Sequence, residues 1–87
     1  MKIKYHANFV KNYKKRVRGN VKLEKKFERR IRMFMVDASN PVLRNHRLRG
    51  EKRDYWSFGL SGDMRVIYRK MNDEVWLYDI GTHNQVY

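Results

Sequence analysis

The chain has 87 residues, no cysteine and a formal net charge of +12, from 21 lysine and arginine residues against 9 aspartate and glutamate residues. This length is enough for one domain. The lack of cysteine excludes a disulfide framework, a thiolate zinc site and a cysteine nucleophile. No apolar run approaches the roughly 18 residues of a membrane span, and residues 1–5 do not lead into the apolar region of a secretory signal. We therefore predict a cytoplasmic protein without a membrane-spanning segment.

The positive charge is unevenly distributed along the chain. Residues 1–53 hold 18 basic and 4 acidic side chains, whereas residues 54–87 hold 3 basic and 5 acidic ones. Solubility alone needs a net charge of only about 2–8 in a small domain. The excess therefore indicates a polyanionic partner, which is a nucleic acid, an anionic membrane or an acidic protein.

The first part of the chain predicts a short strand and two helices. Residues 2–5 alternate between charged and apolar side chains, as in a strand. In residues 7–17 an apolar side chain recurs every four positions, which predicts an amphipathic helix. Asn20 is predicted to cap a second helix, which ends before Pro41. The apolar stripe of this second helix consists of Leu23, Phe27, Ile31, Phe34, Met35 and Ala38.

The second part of the chain predicts a loop followed by three strands. Residues 42–54 are polar and basic without a clear period, which indicates a surface loop. Alternating patterns predict strands over residues 55–60, 64–71 and 74–80, separated by turn sequences. The last of these strands is almost entirely apolar, so we predict a central position for it. The aromatic strand residues are expected to be core rather than platforms for nucleobases; they are Trp56, Tyr68, Trp76 and Tyr78.

This order of elements predicts an α+β fold. An N-terminal strand, a helix hairpin and an antiparallel β-meander form two layers when the hairpin packs on one face of the sheet. The other face of the sheet, together with the basic loop, is then left open for a partner.

Four motifs in the second half of the chain carry a family resemblance. They are Asn45-His46-Arg47-Leu48-Arg49-Gly50, Tyr55-Trp56-Ser57, Gly62-Asp63-Met64-Arg65-Val66-Ile67-Tyr68-Arg69 and Asp79-Ile80-Gly81-Thr82-His83-Asn84-Gln85-Val86-Tyr87. In this order and spacing they resemble the RelE/YafQ branch of the RelE/ParE superfamily of toxins. The resemblance covers essentially the whole chain, although the two helices match only in pattern.

The resemblance implies the toxin of a type II toxin–antitoxin system. Such a toxin is expected to be a ribosome-dependent endoribonuclease that cleaves mRNA in the ribosomal A site, by attack of a ribose 2′-hydroxyl on the adjacent phosphate. It implies a cognate antitoxin from the same operon, acidic or amphipathic, and contact with operator DNA only through that antitoxin. No cofactor, no metal ion and no membrane partner are expected.

Attack by a 2′-hydroxyl needs a base, an acid and positive charge at the phosphate. His46 lies in the basic loop, and relatives use a histidine there for catalysis or RNA contact. By the resemblance, His83 is the best general-acid candidate, Asp63 acts as a base or orients a histidine, and Arg65 binds the scissile phosphate. Tyr87 matches a C-terminal aromatic residue that relatives place near the RNA.

The remaining expectations concern RNA phosphates. Arg47, Arg49, Lys52 and Arg53 are candidates for phosphate contacts in the basic loop.

Gly59 departs from the family pattern, because several nuclease relatives carry a histidine or an arginine at this point.

Two alternatives remain open for this chain. One is a ParE-like toxin that inhibits DNA gyrase, although such members usually lack the aspartate and the Gly-Thr-His element found here at Asp63 and His83. The other is a catalytically weak member of the family that only binds RNA or an antitoxin, an idea that the glycine at position 59 favours.

Overall fold

The structure, a computed structural model, describes all 87 residues of the chain. It contains five strands, three α-helices and two short 3-10 turns. None of the helices is long and apolar enough to cross a membrane. In chain order the elements are β1 (Lys2–Tyr5), α1 (Ala7–Arg16), α2 (Val21–Val36), β2 (His46–Arg47), β3 (Trp56–Ser61), β4 (Met64–Met71), β5 (Glu74–Thr82) and α3 (His83–Val86).

The five strands form one mixed sheet in the order β1-β5-β4-β3-β2. Strand β1 pairs with β5 in parallel, and the other neighbours are antiparallel. The predicted α+β fold with a helix hairpin and a meander is confirmed. The apolar strand β5 has neighbours on both sides, but the middle position belongs to β4, because β1 returns to the outer side of β5.

Both long helices begin at polar caps. The Asn20 side chain accepts a hydrogen bond from the backbone N–H of Leu23, which confirms the predicted cap. At the start of α1, the imidazole Nδ1 of His6 accepts from the backbone N–H of Asn8 at 3.0 Å. His6 therefore stabilises the first turn of α1.

The core lies between the helix hairpin and one face of the sheet. The helices contribute Phe9, Phe27 and Phe34 to it, and the fully buried Tyr68 of β4 packs against the Phe34 ring at a centroid distance of 4.9 Å. Burial raises the pKa of Tyr68 to about 12. The Tyr68 hydroxyl donates a hydrogen bond to the side-chain oxygen of Asn45 at 2.8 Å, so the buried polar group has a partner.

A polar stripe on α1 completes the edge of β5 beyond the point where β1 ends. Asn8 donates to the carbonyl of Tyr78 at 3.0 Å, and Arg16 donates to the carbonyl of Ile80 at 2.9 Å. Between them, the nearly buried Asn12 donates to the Asp79 carboxylate at 2.7 Å. These three α1 residues are spaced by four, so they share one helix face. The stripe lies beside the apolar stripe of α1, and the sequence pattern did not predict it.

Residues 42–54 are more ordered than the predicted surface loop. A 3-10 turn at Pro41–Leu43 precedes β2, and a second one follows at Gly50–Lys52. Strand β2 extends the sheet because His46 pairs with Ser57, and Arg47 pairs with Trp56. The segment is therefore held to the sheet at its edge.

The face of the sheet opposite the helices corrects part of the aromatic prediction. Tyr68 belongs to the core and Trp56 packs against it, as predicted. Trp76 and Tyr78 do not belong to the core, because both are only half-buried and lie on the face that the helix hairpin leaves uncovered. The prediction of a core position was wrong for these two residues.

Candidate active site

Arg65 lies near the start of β4 on the uncovered face of the sheet. Its cross-strand partners are Gly59 on β3 and Gly81 on β5, so no side chain stands directly beside it. The guanidinium Nε donates to the hydroxyl oxygen of Ser57 at 2.5 Å, and Nη2 donates to the Ser57 carbonyl at 3.1 Å. These two bonds fix the plane of the guanidinium group.

The segment before β2 supplies the next contacts of Arg65. Arg44 has a left-handed backbone conformation with φ of 46°, and its carbonyl accepts a hydrogen bond from Arg65 Nη2 at 2.8 Å. The same Nη2 lies 3.3 Å from Nδ1 of His46, which is also 3.1 Å from the Arg44 carbonyl oxygen. Nε2 of the exposed His46 ring makes no hydrogen bond within the protein, so it is available to a substrate.

Ser57 connects Arg65 to the C-terminus of the chain. The Tyr87 hydroxyl donates to the Ser57 hydroxyl oxygen at 2.5 Å, which is the atom that also accepts from Arg65. The Tyr87 ring meets the His83 ring edge-on at a centroid distance of 4.4 Å. His46, Arg65, Ser57, Tyr87 and His83 therefore form one continuous chain of contacts across β2, β3, β4 and α3.

The short helix α3 places His83 and Tyr87 on one side. It starts with a capping box, in which the side chain of Gln85 accepts from the backbone N–H of Thr82 at 2.8 Å. The Lys52 ammonium group donates to the carbonyls of Val86 and Tyr87, at 2.9 and 3.4 Å, and so holds the end of the chain. Lys52, predicted to contact phosphates, is thus engaged with backbone carbonyls next to the site.

Asp63 lies apart from the other predicted catalytic side chains. It is exposed in the turn between β3 and β4, and its carboxylate makes no hydrogen bond or ion pair within the protein. Its backbone carbonyl accepts a hydrogen bond from the N–H of His83 at 3.1 Å. The structure therefore brings Asp63 next to His83 through the backbone, without a side-chain contact between them.

The other predicted phosphate contacts lie in the 42–54 segment. The Arg47 Nε donates to the carbonyl of Arg53 at 2.5 Å, so Arg47 closes a loop around the second 3-10 turn. The side chains of Arg49 and Arg53 are exposed and make no hydrogen bonds within the protein. Their charges remain available to a ligand.

The positive charge around Arg65 is not neutralised within the chain. The one salt bridge of the protein joins Arg16 to Asp79 at 3.3 Å, so no carboxylate pairs with Arg65 or with the basic residues of the 42–54 segment. Unpaired guanidinium groups beside one another repel, and an anion between them removes this repulsion. The site therefore attracts anions.

Gly59 is the point where two guanidinium groups approach each other. A Cβ atom on Gly59 would lie 3.5 Å from Nη1 of Arg65 and 3.8 Å from Nη2 of Arg44. It would also lie 3.3 Å from the carbonyl oxygen of Leu43, which is a tight contact. The glycine thus lets the segment with Arg44 lie close to β3.

Two residues of the cluster were not among the predicted site residues. Ser57 is fully buried on β3, and its hydrogen-bond partners come from distant segments of the chain. Arg44 accepts a hydrogen bond from Arg65 through its carbonyl, and its guanidinium group lies near Gly59. The signal for Ser57 was its place in the Tyr-Trp-Ser motif, on the strand face shared with Arg65. Nowhere in the chain do three or more histidine, aspartate or glutamate side chains converge in a way that would hold a metal ion.

Comparison with known families gives one match over the whole chain. The family is described as the bacterial toxin of type II toxin–antitoxin systems, YafQ, and the matched residues are 1–87. No curated protein matches the sequence significantly.

Solved structures of other toxins have the same fold. YafQ from E. coli strain BL21(DE3) is 18% identical with a TM-score of 0.78, and the match covers 98% of this chain and 96% of that one. A YoeB/ParE toxin from Agrobacterium tumefaciens is also 18% identical, with a TM-score of 0.76 over 95% of this chain and 99% of that one. YafQ in an E. coli DinJ–YafQ complex is 19% identical, with a TM-score of 0.74 over 98% and 96% of the two chains.

Proposed function

The chain belongs to the YafQ family of toxins from type II toxin–antitoxin systems, and from this premise we propose that it is a metal-independent, ribosome-dependent endoribonuclease that cleaves mRNA in the A site. Toxins of the YafQ and YoeB type are generally ribonucleases, which supports this class of activity. The observation that carries the proposal is the continuous cluster from His46 through Arg65, Ser57 and Tyr87 to His83.

The scissile phosphate binds at Arg65 in this proposal. The Nη1 group of Arg65 makes no hydrogen bond within the protein and faces the space above Gly59, where the Arg44 guanidinium also lies. Two guanidinium groups stabilise the extra negative charge of the pentacoordinate transition state. They supply the positive charge that a metal ion provides in other nucleases, so the proposed reaction needs none.

The two histidines flank this phosphate position. His46 has a free Nε2 on one side of Arg65 and removes the proton of the attacking 2′-hydroxyl. His83, on the other side beyond Tyr87, protonates the leaving 5′-oxygen. The products are a 2′,3′-cyclic phosphate and a free 5′-hydroxyl. Base and acid each contribute about 10²–10⁴-fold.

Asp63 and Tyr87 assist these groups. The Asp63 backbone carbonyl holds the start of α3, and in this proposal its free carboxylate orients His83 or acts as a base once the RNA is bound. The Tyr87 ring supports the His83 ring, and its hydroxyl reaches the oxygen that also binds Arg65. Arg49 and Arg53, with Arg47 and Lys52 beside them, bind phosphates of the message or of ribosomal RNA.

The partners follow from the charge and from the family. A net charge of +12, with a single salt bridge in the chain, favours ribosomal RNA and an acidic or amphipathic antitoxin. Solved relatives include the DinJ–YafQ complex and a YoeB–YefM complex from Staphylococcus aureus. We place the toxin in the cytoplasm, with operator DNA reached only through the antitoxin.

Expression of the wild-type protein and of His83→Ala, followed by mapping of mRNA 5′ ends, tests the proposal. We expect cuts within codons for the wild type and a rate lower by about 10²–10⁴-fold for His83→Ala. The matched control is Asn84→Ala, an exposed neighbour on α3 that makes no hydrogen bond. The control should cleave like the wild type.

Three other results would contradict the proposal. A double variant His46→Ala, His83→Ala that remains as active as the wild type would remove both histidines from the mechanism. Growth arrest that leaves mRNA intact but damages DNA would indicate a gyrase inhibitor. Retained antitoxin binding with neither growth arrest nor cleavage would indicate a binding protein.

A further inference from the structure

A cleft of about 280 Å³ opens on the uncovered face of the sheet, away from the cluster around Arg65. This size is at the lower end of ligand pockets, so it suits one ring system. Three aromatic side chains from β5 and the start of β3 line it, with a histidine, an arginine and a methionine. The residues are His6, Tyr55, Arg69, Met71, Trp76 and Tyr78.

The rings of this cleft are arranged around Tyr78. The Tyr78 ring lies 4.7 Å from the His6 ring and 5.0 Å from the Tyr55 ring, each tilted by 48°. The guanidinium carbon of Arg69 lies 5.8 Å from the centre of the Tyr55 ring. The three aromatic side chains of the cleft are only half-buried although the core is next to them. A group of partly accessible aromatic side chains beside an unpaired arginine is typical of single-strand nucleic-acid binding.

The position of the cleft relative to Arg65 fits a continuous RNA path. Arg65, Ile67 and Arg69 point to the same face of β4, and four residues of strand span about 13 Å. A stacked strand rises about 3.4 Å per nucleotide, so this separation corresponds to a few nucleotides. A smaller cavity of about 160 Å³ lies between the two places, lined among others by Tyr55, Ile67, Tyr78 and Val86. This cavity shares Tyr55 and Tyr78 with the cleft, and Val86 in its wall precedes Tyr87 of the candidate active site.

We propose that this aromatic cleft binds a nucleobase of the single-stranded RNA a few nucleotides away from the cleaved bond. The proposal rests on the proposed endoribonuclease function. The base stacks against Tyr55 and Tyr78, and Arg69 binds a phosphate next to it, because no carboxylate forms an ion pair with Arg69. The cleft thereby fixes the register of the strand over Arg65. It also makes the sequence around the cut a determinant of binding.

Binding of short oligoribonucleotides tests the cleft without cleavage. The probe is a fluorescent oligoribonucleotide with a 2′-deoxy residue at the cut site, since this substitution removes the attacking hydroxyl. A series of probes carries one abasic residue at each position in turn. For the wild type we expect one position, a few nucleotides from the deoxy residue, at which loss of the base lowers affinity about tenfold.

Variants of Tyr55 show whether that base occupies the cleft. Tyr55→Leu should lower the affinity for the intact probe about tenfold, and the abasic residue at the sensitive position should then have no further effect. Such non-additivity is the signature of a direct contact. Tyr55→Phe should bind like the wild type, because the Tyr55 hydroxyl makes no hydrogen bond. Tyr5→Leu is the matched control, since Tyr5 is 51% exposed and lies with Phe9 on the helix side.

Several outcomes would overturn the cleft. The first is that no abasic position lowers the affinity of the wild type, and the second is that the wild type does not bind the probe at all. The third is that Tyr55→Leu and the abasic residue lower the affinity additively while the variant keeps the thermal melting curve of the wild type. Loss of affinity for the antitoxin but not for RNA in Tyr55→Leu would make the cleft a protein-docking surface. If every histidine variant still cleaves RNA and the binding pattern is intact, the proposed catalytic role of the histidines is overturned. The proposed base-binding cleft would then still stand.

Discussion

The two faces of the sheet are filled by different chemistry, and β3 and β4 contribute to both. On the helix side, Phe58 and Tyr68 are fully buried among hydrocarbon and aromatic side chains. On the other side, Ser57 and Arg65 from the same two strands join a hydrogen-bonded polar cluster. Because side chains alternate along a strand, adjacent residues carry separate roles.

The two faces also differ in their expected contribution to stability. The helix side holds most of the apolar area, which is the main source of stability. The opposite side holds unpaired positive charge, which adds little to stability and is free to contact a ligand. Substitutions one residue apart should therefore affect different measurements.

Phe58→Ala should have the largest effect and should act on stability. The Phe58 ring is fully buried and stacks on Phe34 at 5.0 Å, so its removal should lower the free energy of unfolding by about 3–5 kcal/mol. This loss is a large part of the total free energy of unfolding expected for a domain of this size. Urea denaturation measures it, with Val36→Ala, 87% exposed on α2, as the control. An unchanged midpoint would show that the helix-side core is not the source of stability.

Arg65→Lys should mainly act on cleavage. Lysine keeps the charge but loses the forked contacts to Ser57 and to the Arg44 carbonyl, so the rate of mRNA cleavage should fall about 10²–10³-fold. Single-turnover cleavage on programmed ribosomes measures this rate. Lys70→Gln, an exposed change on the same strand, should cleave normally. Equal rates for wild type and Arg65→Lys would remove Arg65 from the phosphate site.

Ser57→Ala should have a smaller effect on cleavage. The hydroxyl touches no substrate in the proposed mechanism but accepts from Arg65 and from Tyr87, so it is a positioning residue. Loss of one hydrogen bond to a charged group should slow cleavage about tenfold. The loss should appear in the saturated rate, and Tyr87→Phe in the Ser57→Ala background should add nothing further. Additive losses would show that the two side chains act independently.

Tyr68 should give the smallest effect, and only in alkali. Its pKa is raised to about 12 by burial, so the folded state holds the phenol proton more tightly than the unfolded state does. The stability from the neutral phenol is complete below about pH 10 and should be lost as the pH rises towards 12. Thermal melting of the wild type should show this decline. Tyr68→Phe should melt with less dependence on pH in that window, and an equal slope would contradict the assignment to Tyr68.

Much of the fold was predictable because it depends on local signals. The apolar periods of both helices, the Asn20 cap and the alternation of β3 and β4 agree with the structure. The core positions of Trp76 and Tyr78 were predicted wrongly, because both alternate with the buried Val75 and Leu77 and therefore lie on the other face of β5. A strand that is apolar at nearly every position does not show in its sequence which of its two faces the helices cover.

The candidate site was predictable only in its residue types. The motifs placed His46, Arg65, His83 and Tyr87 on separate elements, and the structure joins them through Ser57, which no motif singled out for chemistry. Asp63 lies at the edge of this cluster and contacts it through its backbone. The predicted roles of these residues, and the phosphate contacts of the basic segment, stay predictions.

The sequence by itself determined the two long helices, the strands other than β2 and their order, the absence of cysteine chemistry and the excess of positive charge. These follow from the period and type of side chains, which act over a few residues. Only the tertiary structure decided which polar groups meet on the uncovered face. The Arg44 carbonyl, the Ser57 hydroxyl and the Tyr87 hydroxyl converge through pairing of β2, β3 and β4 and the turn into α3, between positions up to 43 residues apart in the chain. Such contacts depend on strand register and backbone conformation, as at Arg44 with its φ of 46°, and local sequence does not specify them.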